Sequence, residues 1–448
     1  MANRDEKQLS VLRDWVRKAA PQIEANASLR LWNGELLPLG SDVTSDVVLA
    51  INAPEAVRRM MFAPKLMTIV ELYIEGLIDI VGTTPLEAAK HWDHIRVLEF
   101  GRKISKIDMA KSLWPFVLPI KSATKQQSTA VGFDGTVKDR FEEGRNDKDL
   151  IAHHYDVSND FYALFLDPEM VYSCGYFETA ETSLADAQVA KLDMICRKMR
   201  LQPGDKLLDI GCGWGGLSCH AAANYGAIVY GVTLSEEQFA FATAKVKRLG
   251  LEDKVTIALR DYRDIPAEGQ FDKVSQVEMF EHVGIDNHDR HFQRIHDLLR
   301  PRGIHFHQAS TRMATKDLSA FRKPTAYQQF TTRFIFPGGE LDYIGLTCTN
   351  MERFRLEVHD VEGMREHFAL TLQHWVKNLW ENKDKAKELV GWPRTRLWLF
   401  YLSLYSIAFD RSTIGLFQVV ASRRRTGPSG IALSRAELYQ KKSAKRSG

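Results

Sequence analysis

The chain has 448 residues, of which 44% are hydrophobic, so it is long enough to bury a large catalytic core and to carry a second, smaller domain. Sixty Lys and Arg face 57 Asp and Glu, and the resulting net charge of +3 is too weak to point to a nucleic-acid partner, so none is expected. Five cysteines without CxxC spacing argue against a disulfide framework and against a zinc site, and no metal is assigned.

The opening "MANRDEKQLSVLRDW" is polar and lacks a signal-peptide core, and the longest apolar run, Leu397 to Phe409, is too short to cross a bilayer. A cytoplasmic protein is the expectation. From Ser10 to Ala89 a helical opening gives way to short strands, "DVVLAIN" and "ELYIEGLIDIVG", which predict a small α/β domain. Arg102 to Lys125 interleaves basic residues with Leu, Trp, Phe, Val and Ile. It reads either as an interfacial helix ending at Pro115, with its basic side on lipid headgroups, or as a solvated connector with a buried stripe. With it the N-terminal domain runs over 1–131, and the charged, glycine-containing stretch 132–149 reads as a linker.

The main domain is expected over 150–425. Helix around Leu184 to Met199, strand "KLLDIG", helix after Gly216, strand "AIVYGVTL", helix Glu236 to Leu249, strands "VTIAL" and "FDKVSQV" and a helix from His288 alternate as in a doubly wound, Rossmann-like parallel sheet. The basic tail, 426–448, is expected to be mobile.

In "LLDIGCGWGG" Asp209 ends a strand, and Gly211, Gly213 and Gly215 let backbone amides approach a ligand. A dinucleotide site wants G-x-G-x-x-G and an acidic residue about 20 positions on to grip ribose. Here "GVTLSEEQ" puts Thr233 and Ser235 in that place. The pair of motifs instead resembles an S-adenosylmethionine site, with no phosphates to cradle.

Five motifs in order, "HHYDVSNDFYALFLDPEMVYSCGYF", "DIGCGWGG", "GVTLSEEQ", "MFEHVG" and "LFQVVASR", resemble the cyclopropane-fatty-acid synthases and mycolic acid methyltransferases over about Leu150 to Arg425. "LYIEGLIDIVG" is similar to the N-terminal domain of the longer bacterial members. The resemblance implies an S-adenosylmethionine-dependent C-methyltransferase, associated with the inner membrane face, that adds a methyl carbon to the cis double bond of an unsaturated phospholipid acyl chain. A homo-oligomer stays open. It also implies that Tyr172, Ser173, Gly211, Gly213, Thr233, Leu234, Gln238, Tyr262 and Arg263 contact the cofactor beside Asp209. A bound bicarbonate would act as base, held around Cys174, Glu281 and His307.

The chemistry is consistent with that assignment. An alkene is a weak neutral nucleophile, so the methyl sulfonium must be held in line beside it in a dry site. Aromatic faces would stabilise the resulting cation, and a base must then remove a proton. Duller roles compete: Glu281 as a helix cap, His307 as a satisfied core histidine, Cys174 as a small buried hydrophobe.

Three departures bear on the product. The tyrosine of the family's "HYxxTLxxW" is Phe368, the isoleucine two positions after the strand histidine is Ala309, and a second cysteine of some relatives aligns with Tyr405, to which no role is assigned. Losing a hydrogen bond to a charged ligand weakens anion binding by about 1.5–3 kcal/mol, so bicarbonate is in doubt. Cyclopropane and methyl-branched unsaturated products both stay open. Two other readings are a methyltransferase of this fold with another small-molecule acceptor and a non-catalytic lipid-binding relative.

Overall fold

The strands form two separate sheets in the computed structural model, which describes residues 2–103, 105–117, 158–317, 319 and 321–439. The linker expected at 132–149 lies outside the described residues, as do 118–125 and the start of the "HHYDVS" motif.

The small sheet contains β1 (Ser28–Arg30), β2 (Leu36–Pro38), β3 (Val48–Ile51) and β4 (Ile78–Val81), in the order β2-β1-β3-β4. The helix Ala2–Ile23 places Leu9, Leu12 and Val16 on one face at helical spacing, where they join Leu31, Leu37, Leu113 and Phe116 in a buried cluster. The segment "ELYIEGLIDIVG" is not one strand. Its first half belongs to the helix Leu66–Ile74, which buries Val70, Tyr73 and Ile74, and Gly76 at φ +74° turns the chain into β4. Nor do the described residues from 102 to Pro115 form one continuous helix. The helices His94–Lys103 and Lys106–Ser112 are separated at Ser105, whose hydroxyl caps the second by accepting from Asp108 N–H.

The chain divides into two units that are not contiguous in sequence. One takes Met1–Gly135 together with Pro324–Ile335 and Trp375–Ile407; the other takes Thr136–Lys323, Phe336–His374 and Ala408–Gly448. The continuous 150–425 domain is thus corrected: two of its helical stretches belong to the N-terminal unit. Arg396 shows the reason. It is 2% exposed, its guanidinium donates to Ile78 O at 2.8 Å, pairs with Asp79 at 3.0 Å and lies 4.0 Å over the Tyr73 ring. The buried guanidinium thus finds a carboxylate, a carbonyl and a π-face together, which ties the Arg396 turn of the helix Trp392–Asp410 to β4.

The second unit holds the large sheet: β5 (Lys206–Ile210), β6 (Ile228–Thr233), β7 (Val255–Leu259), β8 (Phe271–Val277), β9 (Leu299–Arg312), β10 (Leu356–Gly363) and β11 (Ile414–Arg423). The order is β10-β11-β9-β8-β5-β6-β7. β5 to β9 run parallel, and β11 is antiparallel to both β9 and β10. Successive residues feed opposite faces: Leu207 and Phe306 pack with Ile195 and Val229, whereas Leu208 and Ala309 pack with Phe292 and Leu298. The tail expected to be mobile is seated as far as Tyr439. Leu438 is buried, its carbonyl accepts from Arg197, and Arg435 pairs with Asp360 at 2.8 Å.

Candidate active site

Strands β5, β6 and β8 end at one cleft, and the turn after β5 is its floor. Asp209 is 3% exposed, and its two oxygens accept from Ser218 Oγ at 2.7 Å and Ser275 Oγ at 2.9 Å. The carboxylate therefore ties the turn to the following helix, Gly216–Tyr225, and to β8. Gly211, Gly213 and Gly215 have φ of +72°, +54° and +79°, a region that side-chain-bearing residues rarely enter. A Cβ on Gly211 would press against Met279 at 3.1 Å, while one on Gly213 would meet no protein atom within 4 Å.

Tyr172, Ser173, Thr233, Leu234, Gln238, Tyr262 and Arg263 all line the same cleft as Asp209, Gly211 and Gly213. Their side chains are already positioned by neighbours. Thr233 Oγ1 donates to Gln238 Oε1 at 2.8 Å, and Ser235 caps the helix Glu236–Arg248 by accepting from Gln238 N–H. Tyr262 Oη lies 2.8 Å from His291 Nδ1, and Arg263 Nε donates to Asp261 at 3.0 Å. Ser173 Oγ accepts from the buried Lys191 Nζ at 2.6 Å. Burial pulls the Lys191 ammonium below its usual value, against the opposing pull of Glu278.

Cys174, Glu281, His307, Ala309 and Phe368 are not part of that lining. Cys174 is fully buried, and burial together with the charge of Glu278 raises its thiol well above the normal range, so the sulfur stays protonated. Its thiol donates to Gly175 O at 3.2 Å, and its backbone N–H donates to Glu278 Oε1 at 2.9 Å. Glu281 Oε1 accepts from Ser310 N–H at 2.7 Å, while Oε2 is buried without a hydrogen-bond partner. Burial raises this carboxyl too.

His307 lies on the other side of β9 from these groups. Its ring meets Gln276 and packs edge-on against Phe280 at 4.8 Å, and burial holds it neutral. Ala309 shares that face and belongs to the apolar cluster of Phe280 and Met351. The residues of β9 that reach the carboxylates are Gln308 and Ser310. Gln308 Nε2 donates to Glu278 Oε1 at 2.7 Å, and its Oε1 accepts from Gln418 Nε2 at 2.8 Å. Strand alternation makes the reading of His307 and Ala309 as anion-site residues one position out of step. Phe368 sits on the helix Arg365–Glu381, with its ring 4.6 Å from Phe409. Other residues of that helix grip the "YSCGYF" segment: Thr371 Oγ1 accepts from Gly175 N–H at 3.0 Å and His367 Nδ1 from Phe177 N–H at 3.0 Å.

The sequence reading passed over Glu278 and Lys191, which both line the cleft. Glu278 is partly buried, a non-glycine residue at φ +51°, and its carboxyl is raised to about 7 by desolvation and by Glu281, with Lys191 pulling the other way. Its position directly before "MFEHVG" was the available signal. A cleft with open space at Gly213 and the carboxylates of Asp209 and Glu278 in its lining suits a sulfonium cofactor such as S-adenosylmethionine, whose positive charge those carboxylates favour.

Comparison with known proteins agrees with this chemistry. Residues 142–419 match the family model "Mycolic acid cyclopropane synthetase". A probable fatty acid methyltransferase of Pseudomonas putida is 41% identical over 302 residues, which are 67% of this chain and 76% of that one. Cyclopropane-fatty-acyl-phospholipid synthase of Escherichia coli is 38% identical over 60% of this chain and 66% of its own. Among solved structures, the cyclopropane synthase MmaA2 from Mycobacterium tuberculosis is 30% identical, with a TM-score of 0.58 over 61% of this chain and 98% of its own. The mycolic acid cyclopropane synthase CmaA1, solved with SAH and CTAB, has the same TM-score and identity over 63% of this chain. The motifs, the seven-stranded sheet and the cleft at its strand ends together make this chain an S-adenosylmethionine-dependent methyltransferase of the cyclopropane fatty acid synthase family.

Proposed function

We propose that the chain transfers the methyl carbon of S-adenosylmethionine to the cis double bond of an unsaturated phospholipid acyl chain. The observation that carries this reading is a partly buried carboxylate, Glu278, in the wall of the cofactor cleft beside the glycine turn. Transfer to oxygen or nitrogen yields a product that sheds its proton to water; transfer to an alkene leaves a carbocation that needs a base inside a dry site. The names of relatives point the same way, fatty acid methyltransferase and cyclopropane-fatty-acyl-phospholipid synthase among them.

When bound, the cofactor supplies an electrophilic methyl group. Gly211 and Gly213 let it approach the backbone, the Thr233–Gln238 pair and Tyr262 take the adenosine side, and Ser173, oriented by Lys191, borders the methionine side. The aromatic group of Tyr162, Phe165, Tyr172 and Trp214, with ring centroids 4.9 to 6.3 Å apart, shields this end from water.

The acceptor lies in a membrane, and the described residues contain no helix long and apolar enough to cross one. Peripheral association at the inner face therefore accompanies the proposal. Ile107 at 67% and Trp114 at 48% exposure, with Lys7 Nζ 4.6 Å over the Trp114 ring, give the N-terminal unit an apolar and basic surface suited to anionic headgroups. The test is transfer of labelled methyl to phospholipid vesicles with cis-unsaturated or saturated chains. Label in the unsaturated lipid alone is the expected result; label in neither, or equally in both, contradicts the proposal.

A further inference from the structure

We infer that the carboxylate of Glu278 is the base of the reaction, a protein side chain standing where the resemblance puts a free bicarbonate. This rests on the reading that the acceptor is an alkene. Three groups expected around such an anion were the Cys174 segment, a glutamate and a residue of β9. In this chain the Cys174 N–H and the β9 amide Gln308 Nε2 both donate to one oxygen of Glu278, at 2.9 and 2.7 Å. The donors that would hold a small anion are thus occupied by a covalently attached one.

The arrangement is built. Gln418 Nε2 donates to Gln308 Oε1 at 2.8 Å, which leaves the amide NH2 of Gln308 as the group facing Glu278. Glu278 N–H donates to Gln308 O at 2.7 Å and holds the residue at φ +51°, a conformation that costs about 1–2 kcal/mol for a side-chain-bearing residue and directs the carboxylate into the cleft wall. With Oε1 fixed by two donors, the group needs no reorganisation when it accepts a proton.

The electron count closes without a further reagent. The alkene π pair forms the new carbon–carbon bond as the methyl–sulfur bond breaks and sulfur keeps that pair. Positive charge remains on the other alkene carbon. Glu278 takes a proton from the transferred carbon, and the released C–H pair closes a cyclopropane ring. If a hydride shifts first, the same pair forms the double bond of a methylene branch. In either case the proton passes from Glu278 to solvent at the end of the cycle. The groups that face this carboxyl are Lys191, Glu281, Cys174 and Gln308, and together with burial they poise it at about 7, suited to giving up and taking a proton near neutrality.

The test uses the full chain with S-adenosylmethionine and vesicles of a cis-monounsaturated phospholipid, in carbon-dioxide-stripped buffer and in buffer with added bicarbonate. Wild-type turnover is expected to change by less than about twofold between the two, whereas Glu278→Gln falls by about 100-fold or more at saturating S-adenosylmethionine, a loss in kcat that weaker cofactor binding would not produce. Glu278→Gly, which relieves the backbone and opens the space, is expected to regain turnover with added bicarbonate or formate. A merely structural role would not produce that rescue. Wild-type turnover that collapses without bicarbonate, or Glu278→Gln turnover within about threefold of wild type, overturns the inference and leaves the alkene acceptor standing. Absence of methylated lipid from the wild type under both conditions removes the acceptor and the base together.

Discussion

Burial raises the Glu278 carboxyl from 4.5 to about 7, so between those values the folded chain holds a proton that the unfolded chain has released. Stability from this group is therefore complete below about pH 4.5 and is lost as pH rises through about 7. Glu278→Gln keeps an acceptor oxygen for both donors and removes the partly desolvated charge. It is expected to raise stability at pH 8 by about 1–3 kcal/mol, with the gain shrinking toward pH 5, as thermal unfolding at both pH values would reveal. An equal effect at both would contradict the titration. Gln308→Leu leaves Oε1 with a single donor and is expected to lower turnover about tenfold in the lipid methylation assay. With Glu278 filling the place of the anion, Phe368→Tyr should bring no bicarbonate response, and rates with and without bicarbonate check it. The offset between His307 and Gln308 was not legible. In "GIHFHQAS" the ring nitrogens drew the assignment to a histidine. Only the contact of the Gln308 side chain with Glu278 reveals which face of β9 meets the chemistry.

At the level of elements, the turn after β5 was readable because glycine spacing and an acidic strand end are local signals, and Gly211, Gly213 and Gly215 do adopt positive φ. Gly213→Val places a β-branched side chain at φ +54° and into the cleft, so the cofactor should no longer bind. Calorimetric titration of the folded variant checks this, and unchanged affinity would contradict it. The parallel strands were legible as short apolar runs between helices. "ELYIEGLIDIVG" was not, because its apolar residues fit both a period of two and a period near 3.6, and burial of Val70, Tyr73 and Ile74 decided for a helix. The tail was read from its charge alone, which conceals the buried Leu438. Ending the chain after residue 430 removes Leu438 and the Arg435–Asp360 pair and is expected to lower the thermal midpoint by several degrees.

For the whole molecule, the division into units followed long-range contacts that no linear pattern encodes: Arg396 and Asp79 lie far apart in sequence and meet at 3.0 Å. The N-terminal unit carries the exposed Ile107 and Trp114, so Trp114→Ala combined with Ile107→Glu should weaken binding to anionic vesicles several-fold, and rising salt should weaken the wild type. Vesicle sedimentation at two salt concentrations measures both. The central claim, that methyl transfer to an alkene is completed by a base in the cofactor cleft, meets its most direct test in the fate of the transferred hydrogens. With S-adenosylmethionine carrying a trideuterated methyl group, a base beside Gly211 and Met279 removes a deuteron from the transferred carbon, so mass analysis of the lipid product should find two of the three deuteriums retained. Retention of all three would mean that the proton leaves from the acyl chain, and an unlabelled lipid would mean that the acceptor is something else.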